Sequence, residues 1–146
     1  MPTFVKSVII DAPASAVFAF HERADALPLL SPRFPRVRVI RKTGGIERGA
    51  LVELRIGPFS WIALHTAYEE NRLFVDEQIS GPFARLVHRH EFEDVGVGTR
   101  LTDRVEYRLP GGPPVNLVFG WLAKFALNRM FSHRHRITKG LCEANS

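Results

Sequence analysis

Residues 86–109 read LVHRHEFEDVGVGTRLTDRVEYRL, and apolar and polar residues alternate along this stretch on both sides of a glycine-containing turn. A period of two residues is typical of a β-strand that buries one face. We therefore predict strands over residues 86–93 and 100–109. The short connection at Gly96-Val97-Gly98 favours an antiparallel hairpin with one face turned into the protein.

The predicted inner face of this hairpin mixes hydrophobic side chains with ionisable ones. His88 and His90 occupy inward positions of the first strand, and Asp103 and Tyr107 occupy inward positions of the second. A buried polar group without a partner costs on the order of 1–3 kcal/mol, and a charge costs more. These four side chains must therefore bond to one another, hold water or contact a ligand. The pattern is more typical of a pocket than of a plain core.

The shared inner face also predicts how the two strands pair. If inward positions oppose each other across a tight turn at Gly96-Val97, His90 lies directly opposite Asp103. A carboxylate beside an imidazole favours the imidazolium, so we expect a raised pKa for His90 and a lowered pKa for Asp103. Three interpretations stay open: a structural ion pair, a polar cluster that contacts a ligand, and acid–base catalysis.

Size and composition restrict the class of protein. A chain of 146 residues with 45% hydrophobic and 24% charged residues is expected to form one domain over residues 1–146. Residues before Phe4 do not resemble a secretory signal, and a single cysteine, Cys142, excludes an internal disulfide and a cysteine metal site. We expect a cytoplasmic protein. The net charge of +5 is spread along many outward strand positions, so no nucleic-acid partner is expected.

The remaining elements follow from turn and capping residues. Pro13 begins a short helix over residues 13–20, and a second short helix follows Asp25 as its N-cap and ends at Ser31-Pro32. The other predicted strands span residues 3–11, 37–41, 50–56, 61–69 and 73–79. In the strand over residues 61–69, the row containing Trp61 and His65 and the row containing Thr66 and Tyr68 are both apolar enough to face inward.

A helix of roughly thirty residues follows the sequence Pro110-Gly-Gly-Pro-Pro114. Its expected buried stripe consists of Val115, Phe119, Leu122, Ala126, Met130, Ile137 and Leu141, widened by Val118, Trp121 and Phe125. Its expected solvated face consists of Lys124, Arg129, Arg134, Arg136 and Lys139. Because the apolar stripe is needed to cover the sheet, stable membrane anchoring is not expected.

The order of elements and four motifs resemble the START-like (SRPBCC) superfamily. The motifs are Trp-x-Ala-x-His-Thr at 61–66, Phe-x-Asp-x-Gln-x-x-Gly-Pro-Phe at 74–83, His-x-His-x-Phe at 88–92 and Asp-x-Val-x-Tyr-x-x-Pro at 103–110. They are similar to a bacterial subgroup of ligand-binding SRPBCC domains, some labelled cell-division inhibitors. The resemblance implies an α+β helix-grip fold: a curved seven-stranded antiparallel sheet around a long C-terminal helix, with two short helices after the first strand. It implies a cavity between sheet and helix and supplies neither a ligand nor a reaction.

The leading hypothesis is a protein that binds a small hydrophobic or amphipathic molecule in this cavity, because apolar walls with a few convergent polar groups are typical of ligand sites. The residues expected to contact the ligand are Val52, Leu54, Trp61, His65, Phe74, Gln78, His88, His90, Phe92, Asp103, Tyr107, Trp121 and Phe125.

Two alternatives come from other classes of protein. One is an enzyme similar to polyketide cyclases or dehydratases, in which His88 or His90 moves protons together with Asp103 and Tyr107. The other is an interaction module that uses the basic face of the helix, although no protein partner is identified. No serine or cysteine lies in a nucleophile motif.

The spacing His88-x-His90 also suggests a metal site, because two imidazoles on one face of a strand can share an ion. The third ligand would have to be Asp103 or His65, while Glu91 and Glu93 alternate outward. We therefore expect neither a metal ion nor another cofactor.

Overall fold

The computed structural model describes residues 2–32 and 36–144. Strand β1 (Thr3–Ile10) is followed by two short helices, α1 (Ala14–Glu22) and α2 (Ala26–Leu30). Six strands come next: β2 (Val37–Thr43), β3 (Leu51–Ile56), β4 (Phe59–Glu69), β5 (Leu73–Ser80), β6 (Arg85–Asp94) and β7 (Thr99–Arg108). Helix α3 (Gly112–Ala144) completes the fold. The predicted order of elements is confirmed.

The seven strands form one antiparallel sheet in the order β1-β7-β6-β5-β4-β3-β2. Consecutive strands from β2 to β7 are neighbours, and β1 adds to the sheet beside β7. The short helices contact each other, and both contact α3, which also packs against β1. This arrangement is the α+β helix-grip fold, in which a curved sheet surrounds a long C-terminal helix.

The pairing of β6 with β7 matches the predicted register. His90 lies opposite Asp103, and Leu86 lies opposite Tyr107. The turn between these strands requires glycine at Gly98, where φ is 151° and a β-carbon would collide with the backbone oxygen of Ile10. The turn therefore fixes the register of the hairpin and its distance from the end of β1.

Two groups of buried side chains hold the helices on the sheet. Phe18 of α1 contacts Phe74 and Phe92, with ring centroids 6.1 and 5.1 Å away. Phe131 of α3 stacks on Phe4 of β1 at 5.6 Å. Burying one such side chain contributes roughly 1.5–3 kcal/mol. The sheet, α1 and α3 are thus joined by aromatic contacts on either side of the space between them.

The expected buried stripe of α3 is wrong in the first half of the helix. The buried positions are Leu127, Phe131, His135, Thr138 and Cys142. Of the predicted stripe, Met130, Ile137 and Leu141 pack against the core, but the side chains toward the start of the helix are exposed: Val118, Phe119, Trp121, Leu122, Phe125 and Ala126. The reason is that this half of the helix is apolar on several sides, so hydrophobicity does not select one inward face.

Asp25 also differs from the expectation. It is the N-cap residue of α2, but its side chain makes no capping hydrogen bond. Its two carboxylate oxygens accept hydrogen bonds from Arg23, at 2.8 and 2.7 Å. The charged guanidinium is a stronger donor than a backbone N–H and takes both oxygens.

None of the helices in the described ranges is long and apolar enough to cross a membrane.

Candidate functional site

A cavity of about 180 Å³ lies between the concave face of the sheet and the helices. Strands β2 to β7 and all three helices contribute to its lining. Most of the wall is apolar: Leu27, Leu30, Val52, Leu54, Trp61, Ala63, Phe74, Leu86, Val105, Leu127, Met130 and Phe131. The polar part of the wall contains a group that we call the histidine–aspartate cluster: Asp76, His88, His90, Asp103 and His135.

Asp103 holds three imidazoles of this cluster. Its Oδ1 atom accepts a hydrogen bond from Nε2 of His88 at 2.7 Å and lies 3.2 Å from Nδ1 of His90. Its Oδ2 atom accepts a hydrogen bond from Nε2 of His135 at 2.6 Å. Because His88 and His90 lie on β6 and His135 lies on α3, one buried carboxylate ties the sheet to the helix.

Asp76 of β5 completes the cluster from the other side. Its Oδ2 atom accepts a hydrogen bond from Nε2 of His90 at 2.9 Å and lies 3.9 Å from Nδ1 of His88. Each ring nitrogen of His90 thus faces a carboxylate oxygen. Burial would lower the pKa of His90, but the hydrogen bonds and charges of Asp103 and Asp76 outweigh burial and raise it.

The two carboxylates stay ionised. Burial alone would raise their pKa values. The hydrogen bond from His90 and the nearby histidines lower the pKa of Asp76 to about 2, and hydrogen bonds from His135, His88 and His90 hold the pKa of Asp103 well below its usual range. His88 behaves oppositely to His90: burial and the charge of His90 lower its pKa. The expected directions for His90 and Asp103 are thus confirmed.

Two further cavity residues were not singled out as site residues from the sequence. His21 of α1 donates from Nδ1 to the backbone oxygen of Val17 at 2.9 Å, and burial lowers its pKa to about 4. Arg134 was expected on the solvated face of α3, and this expectation is wrong. It lines the cavity, and its guanidinium lies over the ring of Phe131 at 5.5 Å. Its Nε atom is buried and has no hydrogen-bond partner among the described residues.

Eight of the thirteen residues expected to contact a ligand line the cavity. They are Val52, Leu54, Trp61, His65, Phe74, His88, His90 and Asp103. The structure does not place Gln78, Phe92, Tyr107, Trp121 and Phe125 in the lining.

The five residues outside the lining have other surroundings. The Gln78 amide bonds the backbone of Phe83 in both directions, at 2.7 and 3.2 Å, and so holds the turn after β5. Phe92 packs in the core beside Phe18. Tyr107 is buried on the inner face of the sheet, where its ring contacts Phe83. Trp121 and Phe125 lie on the exposed half of α3, 69% and 57% exposed.

The structure also settles which row of β4 faces inward. Trp61, Ala63 and His65 line the cavity. A register shift between His65 and Ala67 interrupts the alternation, and Tyr68 then packs on Phe18 at 5.5 Å. Both rows looked apolar because this β-bulge changes which parity is buried part-way along the strand.

The missed cluster residues left a signal in the sequence. Asp76 has the same strand parity as Phe74 and Gln78, both of which were expected inside. His135 lies four residues after Phe131, on the same helical face. A polar residue at an inward position is therefore the signal for Asp76 on β5 and His135 on α3, as it is for the cluster residues on β6 and β7.

Several solved structures share this architecture. A nucleoside-diphosphate sugar epimerase from Corynebacterium glutamicum matches 94% of this chain with a TM-score of 0.76 and 23% identity, and the match spans only 28% of the epimerase. A START superfamily protein from Mycobacterium smegmatis matches 99% of both chains with a TM-score of 0.70 and 18% identity. The di-domain ARO/CYC StfQ from the steffimycin biosynthetic pathway matches 98% of this chain and 51% of its own, with a TM-score of 0.74 and 14% identity.

At these identities the solved structures establish the fold alone, and no curated protein sequence matches the chain. A family model provides the stronger relation. The model described as "Polyketide cyclase / dehydrase and lipid transport" matches residues 10–134, which include the whole sheet from β2 to β7 and most of α3. The chain therefore belongs to the polyketide cyclase/dehydrase and lipid transport family.

Proposed function

We propose that the protein binds a small amphipathic molecule in the cavity, with an apolar body against the sheet and an acceptor oxygen toward Arg134. The observation that carries this proposal is the uneven wall of the cavity. Apolar side chains of β3, β4 and β5 form one part, and the histidine–aspartate cluster and Arg134 form another. Apolar walls with a few oriented polar groups are the usual composition of a ligand site.

Arg134 supports an acceptor group on the ligand. A buried N–H without a partner costs about 1–3 kcal/mol, and more on a charged group. Arg134 has such an N–H at Nε, and burial lowers the pKa of its guanidinium. A carboxylate or carbonyl oxygen would accept a charge-assisted hydrogen bond there. The family description, which includes lipid transport, supports an apolar body.

The size of the cavity limits the ligand. An apolar cavity of about 150 Å³ in another protein accommodates benzene. The volume of about 180 Å³ therefore favours a molecule with one ring or a short acyl chain.

A buried free thiol at Cys142 supports a reducing compartment such as the cytoplasm.

The test uses matched probes and matched variants. Thermal unfolding and native mass spectrometry would compare benzoate and octanoate with benzyl alcohol and octanol. We expect the two acids to bind one per chain and to raise the melting temperature of the wild-type protein more than the alcohols do. Arg134→Gln should remove this preference. Arg136→Gln, at an exposed position of the same helix, should keep it.

Two outcomes contradict the proposal. One is that none of the four probes shifts the melting temperature or forms a complex at millimolar concentration. The other is that the acid probes bind the wild-type protein and Arg134→Gln equally well.

A second candidate is proton-transfer catalysis on a bound molecule, as in the cyclase or dehydratase hypothesis. The observation that favours it is the position of His90 at the cavity wall, between two carboxylates that raise its pKa. His90→Gln should then abolish turnover of a polyketide-like substrate and leave its affinity unchanged. Equal loss of both would assign His90 to binding alone. Because Tyr107 lies outside the cavity lining, it is not included in this hypothesis.

A further inference from the structure

Three metal-ligating side chains meet at one point of the cavity wall. Asp76 lies directly opposite His88 in the pairing of β5 with β6, and His90 lies two residues further along β6. One carboxylate oxygen and one nitrogen from each imidazole all lie within 4.8 Å of one another. All three side chains line the cavity. The sequence suggested Asp103 or His65 as the third ligand beside the two histidines, whereas the structure brings Asp76 to them.

Asp103 orients both imidazoles from behind. Nε2 of His88 and Nδ1 of His90 both face its Oδ1 atom, at 2.7 and 3.2 Å. With those nitrogens occupied, Nδ1 of His88 and Nε2 of His90 are turned toward Asp76. A carboxylate that holds the far nitrogen of a histidine ligand is the usual second layer of a metal site, because it fixes the tautomer and the ring orientation.

The spacing of these atoms is close to the spacing of ligand atoms around a cation. Nδ1 of His88 lies 3.9 Å from Oδ2 of Asp76, beyond hydrogen-bond distance. Nε2 of His90 lies 2.9 Å from the same oxygen. Ligand atoms about 2.0–2.2 Å from a tetrahedral ion lie roughly 3.3 Å apart, so these distances bracket the required spacing. The ion would replace the hydrogen bond between His90 and Asp76, since a nitrogen that binds a metal ion carries no proton.

We propose that Asp76, His88 and His90 bind a divalent transition-metal ion with an open coordination position facing the cavity. Two imidazoles and one carboxylate suit Zn²⁺, Fe²⁺ or Co²⁺ better than Ca²⁺ or Mg²⁺, which prefer oxygen ligands. Three protein ligands leave room for water or for an oxygen atom of a molecule in the cavity. Asp103 is a positioning residue in this site, and His135 holds Asp103 in place at 2.6 Å.

The experiment uses the full chain after treatment with a chelator, titrated with CoCl₂ and then with ZnCl₂. We expect one Co²⁺ per chain, visible absorption bands of four- or five-coordinate cobalt, and displacement of Co²⁺ by Zn²⁺. Asp103→Asn should weaken the affinity about ten- to a hundredfold, the usual effect of losing such a carboxylate. Asp76→Asn should weaken it more. His133→Gln, at a histidine of α3 outside the cluster, should bind as the wild-type protein does.

The proposal is wrong if the wild-type protein shows no saturable uptake of either ion, or if Asp76→Asn binds as tightly as His133→Gln. A measurement on the wild-type protein decides the matter if the variants do not fold. The proton NMR spectrum of the Co²⁺ form should contain two shifted, exchangeable imidazole N–H signals, from Nε2 of His88 and Nδ1 of His90. Their absence from a cobalt-loaded protein would place the ion elsewhere. Neither result depends on whether the acid probes bind at Arg134.

Discussion

Replacing Asp103 by asparagine removes one negative charge and retains the size of the side chain. Asp103 is 4% exposed and contacts His88, His90 and His135. An asparagine side chain has one acceptor oxygen and one NH₂ group, which cannot accept a hydrogen bond. At least one imidazole N–H would therefore face a donor, and His90 would keep only Asp76 as a carboxylate partner.

The expected loss of stability is about 3–5 kcal/mol, the usual cost of removing one partner of a buried ion pair. For a domain of about 150 residues, each kcal/mol lowers the melting temperature by roughly 2–4 °C. Asp103→Asn should therefore melt about 10 °C below the wild-type protein. This cost is large beside a total stability of about 5–15 kcal/mol, so the variant is near the limit of folding.

The assay is urea unfolding at pH 7, followed by circular dichroism, with Glu91→Gln as the control. Glu91 lies beside His90 on the outer face of the hairpin and pairs with Arg104 and Arg89, at 3.2 and 3.3 Å. Such an exposed pair contributes at most about 1 kcal/mol. If Asp103→Asn cost no more than Glu91→Gln, the three contacts of Asp103 would not stabilise the fold. The free-energy changes of Asp103→Asn and His135→Gln should also not be additive in the double variant, since interacting residues are coupled by about 0.5–3 kcal/mol. Additive changes would refute a stabilising contact between Asp103 on the sheet and His135 on the helix.

Acidification from pH 7 to 5 should destabilise the protein by about 2 kcal/mol through His21. The pKa of His21 is about 4 in the folded protein, whereas a histidine in the unfolded chain has a pKa near 6.5. In this pH range the unfolded chain therefore binds a proton that the folded protein does not bind. His21→Gln should lose that part of the pH dependence in urea unfolding, and an unchanged slope would contradict the burial of His21. In helix α3, Phe131→Ala should lower the free energy of unfolding by about 3–5 kcal/mol, since Phe131 is 1% exposed. Phe125→Ala should lower it by less than about 1 kcal/mol, since Phe125 is 57% exposed. Equal costs for the two phenylalanines would show that the orientation of α3 is wrong.

The hairpin could be predicted well because a pleated strand ties each position to one face. Alternation predicted the inward histidines, and the tight turn predicted that His90 lies opposite Asp103. The choice of hydrogen-bond partner could not be predicted in the same way. Diagonal neighbours across a strand pair are also within reach of long side chains, and Asp103 makes its shorter contact with His88.

The helix was harder to predict, because its buried face is partly polar and its exposed face partly apolar. His135 and Thr138 face inward, whereas Trp121 and Phe125 face outward. Hydrophobicity therefore indicated the wrong side of the first half of α3, and with it the wrong contribution of the helix to the cavity. Hydrophobicity alone does not identify His135 as a buried residue. His135 faces inward because it donates a hydrogen bond to the carboxylate of Asp103 on β7.

The β-bulge between His65 and Ala67 has a consequence for how the chain tolerates insertions and deletions. The bulge allows both halves of β4 to make inward contacts, since His65 lines the cavity and Tyr68 contacts α1. Thr66 is the extra residue of the bulge, so deleting it would restore strict alternation and still leave His65 opposite Asp76 and Ala67 opposite Val75. Inserting one residue into β4 away from the bulge would instead turn one part of the strand over, because side chains alternate between the two faces of a sheet. Related proteins should accordingly vary in length at the bulge and at the turns and keep the rest of β4 constant.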